Sequence, residues 1–319
     1  MSHSNDIRIS VVIVNYNTSR LLDDCLQSVY SRTAGASFEV IVVDNGSDDD
    51  SVRMVGKRYP QARLVANDRN AGFSVACNAG IREAGGEYVV LLNSDTVLEN
   101  DALTILADFL DANPRAGICG PRLQNADGTP QKSVAETPTL GRVFWNFAAQ
   151  TLGGYKPTWQ REYEPERFGY DRTLRIEGES LTGACLAIRK SIFDDLGLLD
   201  ERFFFYMEEA DWTLRAARTG WEIWFVADAV VRHLHGASVR LNDRSELMIK
   251  IKTMQIRSLQ HFYRKHFGPA SRAGLRLVLL GFLGTNLLRR WAEQAIGRNE
   301  SAAYNVRLAK SMVRAIGRS

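Results

Sequence analysis

"YVVLLNSDTVLEND" spans residues 88–101 and decides the fold. It opens on an apolar run, long enough for a buried strand, that stops at Asn93-Ser94-Asp95. A helical pattern, "NDALTILADFLDANP" (100–114), comes next. An acid placed where a core strand ends calls for a reason, and the neighbouring segments provide it.

Upstream, "IRISVVIV" (7–14), "FEVIVVD" (38–44) and "ARLVAN" (62–67) read as further strands. Between them lie "TSRLLDDCLQSVYSR" (18–32), "GSDDDSVRMVGKRY" (46–59) and "SVACNAGIREAG" (74–85), which read as helices from their capping residues and apolar spacing. "AGICG" (116–120) adds a strand downstream. Repeated β-α-β units specify an α/β fold, a mostly parallel sheet with helices on both faces. Such sheets bind ligands beyond the carboxyl ends of their strands. Those ends are Asn15-Tyr16-Asn17, Asp44-Asn45-Gly46-Ser47, Asn67-Asp68 with Asn70, and Asn93-Ser94-Asp95. Polar residues cap helices and make turns in any protein. Four successive polar tips on one rim, with acids at the second and fourth, point instead to a shared crevice.

Beyond Pro121 the periodicity loosens. Residues 121–175, including "FWNF" and "GGYKPTWQREYEPERFGY", read as irregular and substrate-facing, with room for a hairpin. "LRIEGESLTGACLAIRK" (174–190) is strand-like. "SIFDDLGLLDERFFFYMEEADWTLRAARTG" holds a short helix, an aromatic segment and a helix over about 207–219. "WEIWFV" and "AVVRHLHGAS" read as two strands, and helices over about 246–266, 272–296 and 300–316 close the chain. The expected division is a main domain over 1–245, with halves of about 7–120 and 121–245, and a basic amphipathic extension over 246–319.

Composition bounds the class. The 319 residues are 45% hydrophobic and 24% charged, which argues against disorder and allows one large α/β domain plus an appendage. Cys25, Cys77, Cys119 and Cys185 lie far apart, which fits reduced thiols in a cytosolic protein better than a disulfide framework or zinc site. The start "MSHSNDIRIS" lacks the pattern of a signal peptide. The most apolar run, "LRLVLLGFLGTNLL" (275–288), is interrupted by Arg276 and Asn286 and falls short of a membrane span. Net charge is +3, but from Glu246 onward fourteen Lys and Arg face three Glu, leaving about −8 on residues 1–245.

Three groups of residues carry chemistry. On an extended chain Asn93 and Asp95 point one way and Ser94 the other, an oxygen-bearing pair suited to a hard divalent cation that also touches phosphate. "YMEEADW" (206–212) sets Glu208, Glu209 and Asp211 at a helix start, where acids answer the helix dipole or serve as a base. Glu208 and Asp211 share a face and Glu209 is turned about 100° away; the residues alone leave the choice open. His233 and His235, two apart near a strand end, face one way. Trp145, Tyr155 and Trp159 could stack on a sugar or simply pack.

The segments "SVVIVNYN", "EVIVVDNGSDDDS", "NAGFSVACNAGI", "VVLLNSDT", "TGACLAIRKSIFDDLGLLDERFFFYMEEADW" and "HLHGAS" occur in this order. Together they resemble family-2 glycosyltransferases of the GT-A fold, in particular bacterial rhamnosyltransferase-like members, over roughly residues 8–240. The resemblance implies an inverting transfer of a sugar from a nucleotide-sugar donor, aided by Mg²⁺ or Mn²⁺. L-rhamnose from deoxythymidine-diphosphate rhamnose is the donor it favours. The acceptor it implies is a hydroxyl of a saccharide or polyprenyl-linked saccharide in bacterial cell-surface polysaccharide synthesis. It makes Asp44 a contact of the base or ribose, with Asn15 and Tyr16 in that pocket and Asn70, Gly72 and Asn78 bordering the nucleotide. Asp95 becomes the metal anchor of a D-x-D-like motif completed by Asn93 and Ser94, and His233 a further metal or phosphate ligand, with His235 as its substitute. Glu209 takes the base position, supported by Asp211 with Glu208 beside it, and Gly183 leaves room near the donor. Two departures stand out: Asn93 keeps an oxygen but loses a charge, and Glu209 is one methylene longer than the usual Asp.

The basic tail fits an anionic membrane surface, where each basic residue contributes about 1 kcal/mol, or packing on the catalytic domain or a second subunit of a homo-oligomer. A cytoplasmic enzyme, peripheral on the inner face of the cell membrane, is the expectation. Nucleic acid is disfavoured because no recognition motif accompanies the charge. A nucleotidyltransferase or dinucleotide oxidoreductase lacks its Gly-rich loop after the first strand. A non-catalytic sugar-nucleotide-binding scaffold is the rival of a different class.

Overall fold

A computed structural model describes residues 7–151, 170–234, 244–295 and 302–317. The chain divides into two compact units. One comprises Met1–Thr137, Glu162–Phe204 and Glu208–Arg240, the other Pro138–Arg161, Phe205–Met207 and Leu241–Ser319.

The first unit opens with β1 (Ile9–Asn15), α1 (Ser19–Arg32), β2 (Phe38–Asp44), α2 (Ser51–Arg58), β3 (Arg63–Ala66), α3 (Phe73–Glu83) and β4 (Tyr88–Asn93). Then come β5 (Thr96–Leu98), α4 (Ala102–Ala112), β6 (Ala116–Gln124) and β7 (Val134–Glu136). After α5 (Leu140–Thr151), which belongs to the second unit, follow β8 (Leu174–Ile176), β9 (Glu179–Leu181), β10 (Cys185–Arg189), α6 (Ile192–Leu196), α7 (Glu208–Arg218) and β11 (Glu222–His233).

The main sheet runs β3-β2-β1-β4-β10-β6-β11-β5, with β8 also on β11. β3, β2, β1 and β4 are parallel, as β-α-β alternation requires. Side chains alternate across β1 and β4. Ile9, Val11, Ile13, Val90 and Leu92 pack under α1 and α4, while Val12, Val89 and Leu91 pack under α3 and α7. Both faces are therefore apolar and covered. Chain order reverses between β1 and β4, so the crevice of a doubly wound sheet opens at the ends of these two strands.

Two sequence readings change here. "WEIWFV" and "AVVRHLHGAS" contribute to one strand, β11; its register on β6 jumps between Val226 and Val230, so a bulge absorbs Ala227–Ala229 without ending the pairing. "LRIEGESLTGACLAIRK" holds three strands rather than one, because Gly178, at φ 71°, turns the chain between β8 and β9. The last of them, β10, inserts antiparallel between β4 and β6.

The second unit contains α5, α8 (Arg244–His266), α9 (Pro269–Ala295) and α10 (Ala302–Gly317). Phe147 of α5 stacks on Phe282 of α9 at 4.3 Å between ring centres. Leu275, Leu279 and Leu283 of α9 are buried, as are Leu308, Met312 and Ile316 of α10. Among the described residues no helix is long and apolar enough to cross a membrane.

Candidate functional site

Pairing in register brings the strand ends together. Asn15 sits opposite Asp44, Asp44 opposite Ala66, and Val14 opposite Asn93. Asn15 Nδ2 donates to Asp44 Oδ2 at 2.8 Å, and the Ser47 amide and hydroxyl donate to the same carboxylate at 2.8 and 2.7 Å. Asp44 is buried, so these donors replace the water it gave up. Thr18 Oγ1 then links the Asn15 side chain, at 2.6 Å, to Ser94 Oγ, at 2.9 Å. The ends of β1, β2 and β4 thus form one hydrogen-bonded platform.

A second arm extends from Asn45. Its Nδ2 donates to Asn70 Oδ1 at 3.0 Å and Gly72 O at 3.2 Å, and its Oδ1 accepts from Asn67 Nδ2 and the Ala71 amide, both at 3.1 Å. Gly72 has φ 99°, and a Cβ there would lie 2.9 Å from Phe204. Only glycine allows that approach. Tyr16 and Phe204 remain exposed.

The platform leads to Asp95. Its Oδ1 lies 3.3 Å from His233 Nε2, and Leu234 N donates to Asp95 O at 2.9 Å. β5 brings the two residues together, because Thr96 pairs with His233 across the antiparallel β5–β11 ladder. Gln131 holds the other side of the ring: its Oε1 is 2.7 Å from His233 Nδ1, and its Nε2 donates to His233 O at 3.0 Å and Asn125 Oδ1 at 2.8 Å. In the neutral tautomer whose Nδ1–H donates to that amide oxygen, the Nε2 lone pair faces Asp95. Adjacent octahedral ligands at about 2.1 Å from a metal stand roughly 3.0 Å apart, so the pair is spaced to hold one divalent ion. A carboxylate beside an imidazole, with an amide outside it, is the donor chemistry of such sites. Among the described residues no third His, Cys, Asp or Glu joins them.

The acidic cluster adjoins the same platform. Asn93 N donates to Ala184 O at 3.0 Å, and the next residue back, Gly183, faces Glu209: a Cβ on Gly183 would lie 3.6 Å from Glu209 Cβ and Cγ. Glu209 is half-buried, and its Oε2 has no hydrogen-bond partner. Burial holds its carboxyl above the usual range. Glu208 is more deeply buried; desolvation, and then the neighbouring Glu209 charge, push its carboxyl well above the ordinary value. Glu208 in turn adds to the rise of the buried Cys77 thiol, which places it on the α3 side. Tyr206 and Met207, just before α7, have φ of 71° and 72°, a conformation non-glycine residues adopt only at a cost.

Asn15, Asp44, Asn70, Gly72, Asn93, Ser94, Asp95, Gly183, Glu209 and His233 therefore form one connected region. Two candidates turn elsewhere. Asn78, buried in α3, uses both ends of its amide on the 199–201 segment: Nδ2 to Leu199 O and Glu201 Oε1, Oδ1 from Leu199 N, at 2.9 to 3.0 Å. Asp211 is buried against Arg215 at 3.0 Å, and that arginine also donates to Leu196 O and Leu198 O. Both side chains fix the approach to α7. The chain turns at Ser94–Asp95 before β5, so strict alternation does not carry through residue 95. Trp145 is exposed on α5, in the second unit. Tyr155, Trp159 and His235 lie outside the described residues. Sequence reasoning missed Asn45 and Gln131 as site residues; Asn45 carried a signal, being a second polar residue at a strand tip.

Known proteins share this architecture. The chain is 16% identical to a mannosyltransferase from Pyrobaculum calidifontis solved with GDP-Man and Mn²⁺, covering 99% of this chain and 87% of that one at a TM-score of 0.55. It is 18% identical to GalNAc-T7 solved with UDP, GalNAc and Mn²⁺, covering 82% and 50% at a TM-score of 0.57. At such identities the likeness concerns the fold. An N-acetylglucosaminyl-diphospho-decaprenol L-rhamnosyltransferase of Mycobacterium tuberculosis is 30% identical over 288 residues, 86% of this chain and 90% of the relative. An O-antigen chain rhamnosyltransferase, RfbN, of Salmonella typhimurium is 22% identical over 275 residues, 85% and 79% of the two chains. The family model described as glycosyl transferase family 2 matches residues 10–197, more than half of the chain. The chain belongs to glycosyl transferase family 2 and is a glycosyltransferase.

Proposed function

We propose that this enzyme transfers a sugar, with inversion, from a nucleotide-sugar donor to a hydroxyl of a saccharide or lipid-linked saccharide in bacterial cell-surface polysaccharide synthesis. The observation that carries the reading is the Asp95–His233 pair, 3.3 Å apart, on the same platform as Glu209, whose Oε2 has no hydrogen-bond partner. The nucleotide lies over Asn15, Tyr16 and Asp44, bordered by Asn70 and Gly72. Asp95 and His233 would hold a divalent cation, which would supply positive charge against the departing diphosphate. The imidazole favours Mn²⁺ over Mg²⁺, since Mg²⁺ prefers oxygen ligands throughout.

Glu209 is the base. Its half-buried carboxylate takes the proton of the acceptor hydroxyl. That oxygen bonds to the anomeric carbon as the bond from this carbon to the diphosphate oxygen breaks, releasing a nucleoside diphosphate. One in-line displacement with one base inverts the anomeric centre. Gly183 keeps the space beside Glu209 open for the sugars. The rhamnosyltransferase relatives support deoxythymidine-diphosphate rhamnose as donor and a polyprenyl-linked saccharide as acceptor.

The test has two steps. A panel of sugar nucleotides with Mn²⁺ is screened for a rise in melting temperature, and deoxythymidine-diphosphate rhamnose is expected to give the largest. Transfer by Glu209→Gln is then compared with wild type. The rate is expected to fall about 10²–10⁴-fold with donor affinity unchanged. An unchanged rate removes Glu209 from the role of base.

A further inference from the structure

The second unit is charged unlike the first. Its segments carry 18 Lys and Arg against 4 Asp and Glu, a net +14, while the rest of the chain carries 22 against 33, a net −11. Part of this positive charge converges where α8 hands over to α9. A small pocket, partly open to solvent, is lined by Gln260, Tyr263, Arg264, Arg272, Leu275 and Arg276, with no Asp or Glu among them.

The local arrangement favours an anion. Arg264 lies in the last turn of α8, where a cation suits the helix dipole. Arg272 lies in the first turn of α9, which contains no acid and whose end is already positive. Like charges gathered this way repel, and a bound phosphate oxygen cluster converts the repulsion into charge-assisted hydrogen bonds. Tyr263, which also lines the pocket, is 1% exposed, and its buried hydroxyl has no hydrogen-bond partner.

An apolar stripe runs along another side of α9, its edge at Leu280 one turn from Arg276. Leu277 is 71% exposed, Leu280 47%, Leu287 38% and Leu288 68%, all on one side of the helix and facing away from buried Leu275, Leu279 and Leu283. The eleven helical steps from Leu277 to Leu288 cover about 17 Å. Arginines beside an exposed leucine stripe suit a surface that is anionic at its headgroups and apolar beneath them. We propose that the pocket lined by Arg264, Arg272 and Arg276 binds the phosphate of an anionic lipid and seats the Leu277–Leu288 stripe of α9 in the membrane interface.

The experiment is flotation of the full chain with vesicles of phosphatidylcholine alone or containing phosphatidylglycerol. Wild type is expected to bind the anionic vesicles only. The double variant Arg264→Ala, Arg272→Ala is expected to bind about thirtyfold more weakly, each basic residue near an anionic surface contributing about fivefold. A matched pair on exposed α8 positions, Lys250→Ala with Arg257→Ala, is expected to stay within twofold. Equal losses from both pairs would assign binding to bulk charge and overturn the pocket. Leu277→Asn with Leu280→Asn is expected to weaken vesicle binding at least tenfold; an unchanged affinity overturns the stripe. Inorganic pyrophosphate is tested in parallel by thermal shift. A shift lost in the arginine variant, together with no vesicle binding by wild type, would make the ligand a soluble phosphate and overturn the lipid assignment. Melting temperatures of all variants report folding, and the arginine variant is expected to match or exceed wild type. None of these readouts involves sugar transfer.

Discussion

Replacing Gln131 with leucine tests how the metal pair is held. Gln131 touches His233 twice, at Nδ1 (2.7 Å) and at the carbonyl (3.0 Å), and is itself steadied by Asn125. Leucine of similar size keeps the packing, and the backbone bond from residue 131 to Leu123 O survives. What disappears is the acceptor that fixes the His233 tautomer and the direction of Nε2. Loss of such an outer partner weakens metal affinity about 10- to 100-fold, or about 1.4–2.7 kcal/mol. The assay is nucleoside diphosphate release against Mn²⁺ concentration at saturating donor. The half-saturating Mn²⁺ is expected to rise by that factor, while the maximal rate at high Mn²⁺ stays within about twofold, because Gln131 acts through His233 and not on the substrate. Gln131→Glu keeps an acceptor at Nδ1 and is expected to restore the wild-type midpoint. An unmoved Mn²⁺ midpoint in Gln131→Leu, or a lower maximal rate without a shift, would refute the reasoning.

Two further expectations concern stability. Burial and the adjacent Glu209 raise the Glu208 carboxyl well above its free value, so the folded state keeps the proton that the unfolded chain releases. Its stabilising contribution is complete below the unfolded value near 4.5 and is lost as pH rises toward the folded one. Glu208→Gln should therefore match wild type in melting temperature at pH 4 and exceed it at pH 8; parallel curves would show that Glu208 is not held protonated. Asn78→Ala removes three hydrogen bonds and leaves the Leu199 backbone groups unpaired, a loss of about 2–4 kcal/mol. Urea unfolding should show it, and a change below about 1 kcal/mol would mean the 199–201 segment is held by other contacts.

The parallel half of the sheet was legible because each strand is a short apolar run ending in polar residues, and each helix shows its face. The antiparallel insertion of β10 was not, since periodicity reports burial and not the neighbour a strand selects. β11 looked like two strands because the bulge at Ala227–Ala229 interrupts alternation without breaking the ladder. Asp95 and His233 could be singled out, one at a strand tip and the other by the spacing of a histidine pair. Their proximity depends on β5, three residues that sequence reading merged into the approach to α4. Gln131 gave no signal at all: it lies in a loop, 102 positions before His233, and meets it only through the fold. Asn78 and Asp211 were read toward the ligand, yet a buried amide and a buried acid must first satisfy themselves, and the 199–201 segment and Arg215 do that.

Anomalous diffraction at the manganese edge, from crystals grown with Mn²⁺ and a nucleoside diphosphate, tests the metal assignment most directly. One peak is expected within roughly 2.3 Å of both an Asp95 carboxylate oxygen and His233 Nε2, with the diphosphate on its open side. A strong peak bound elsewhere, with none between these two residues, would contradict it.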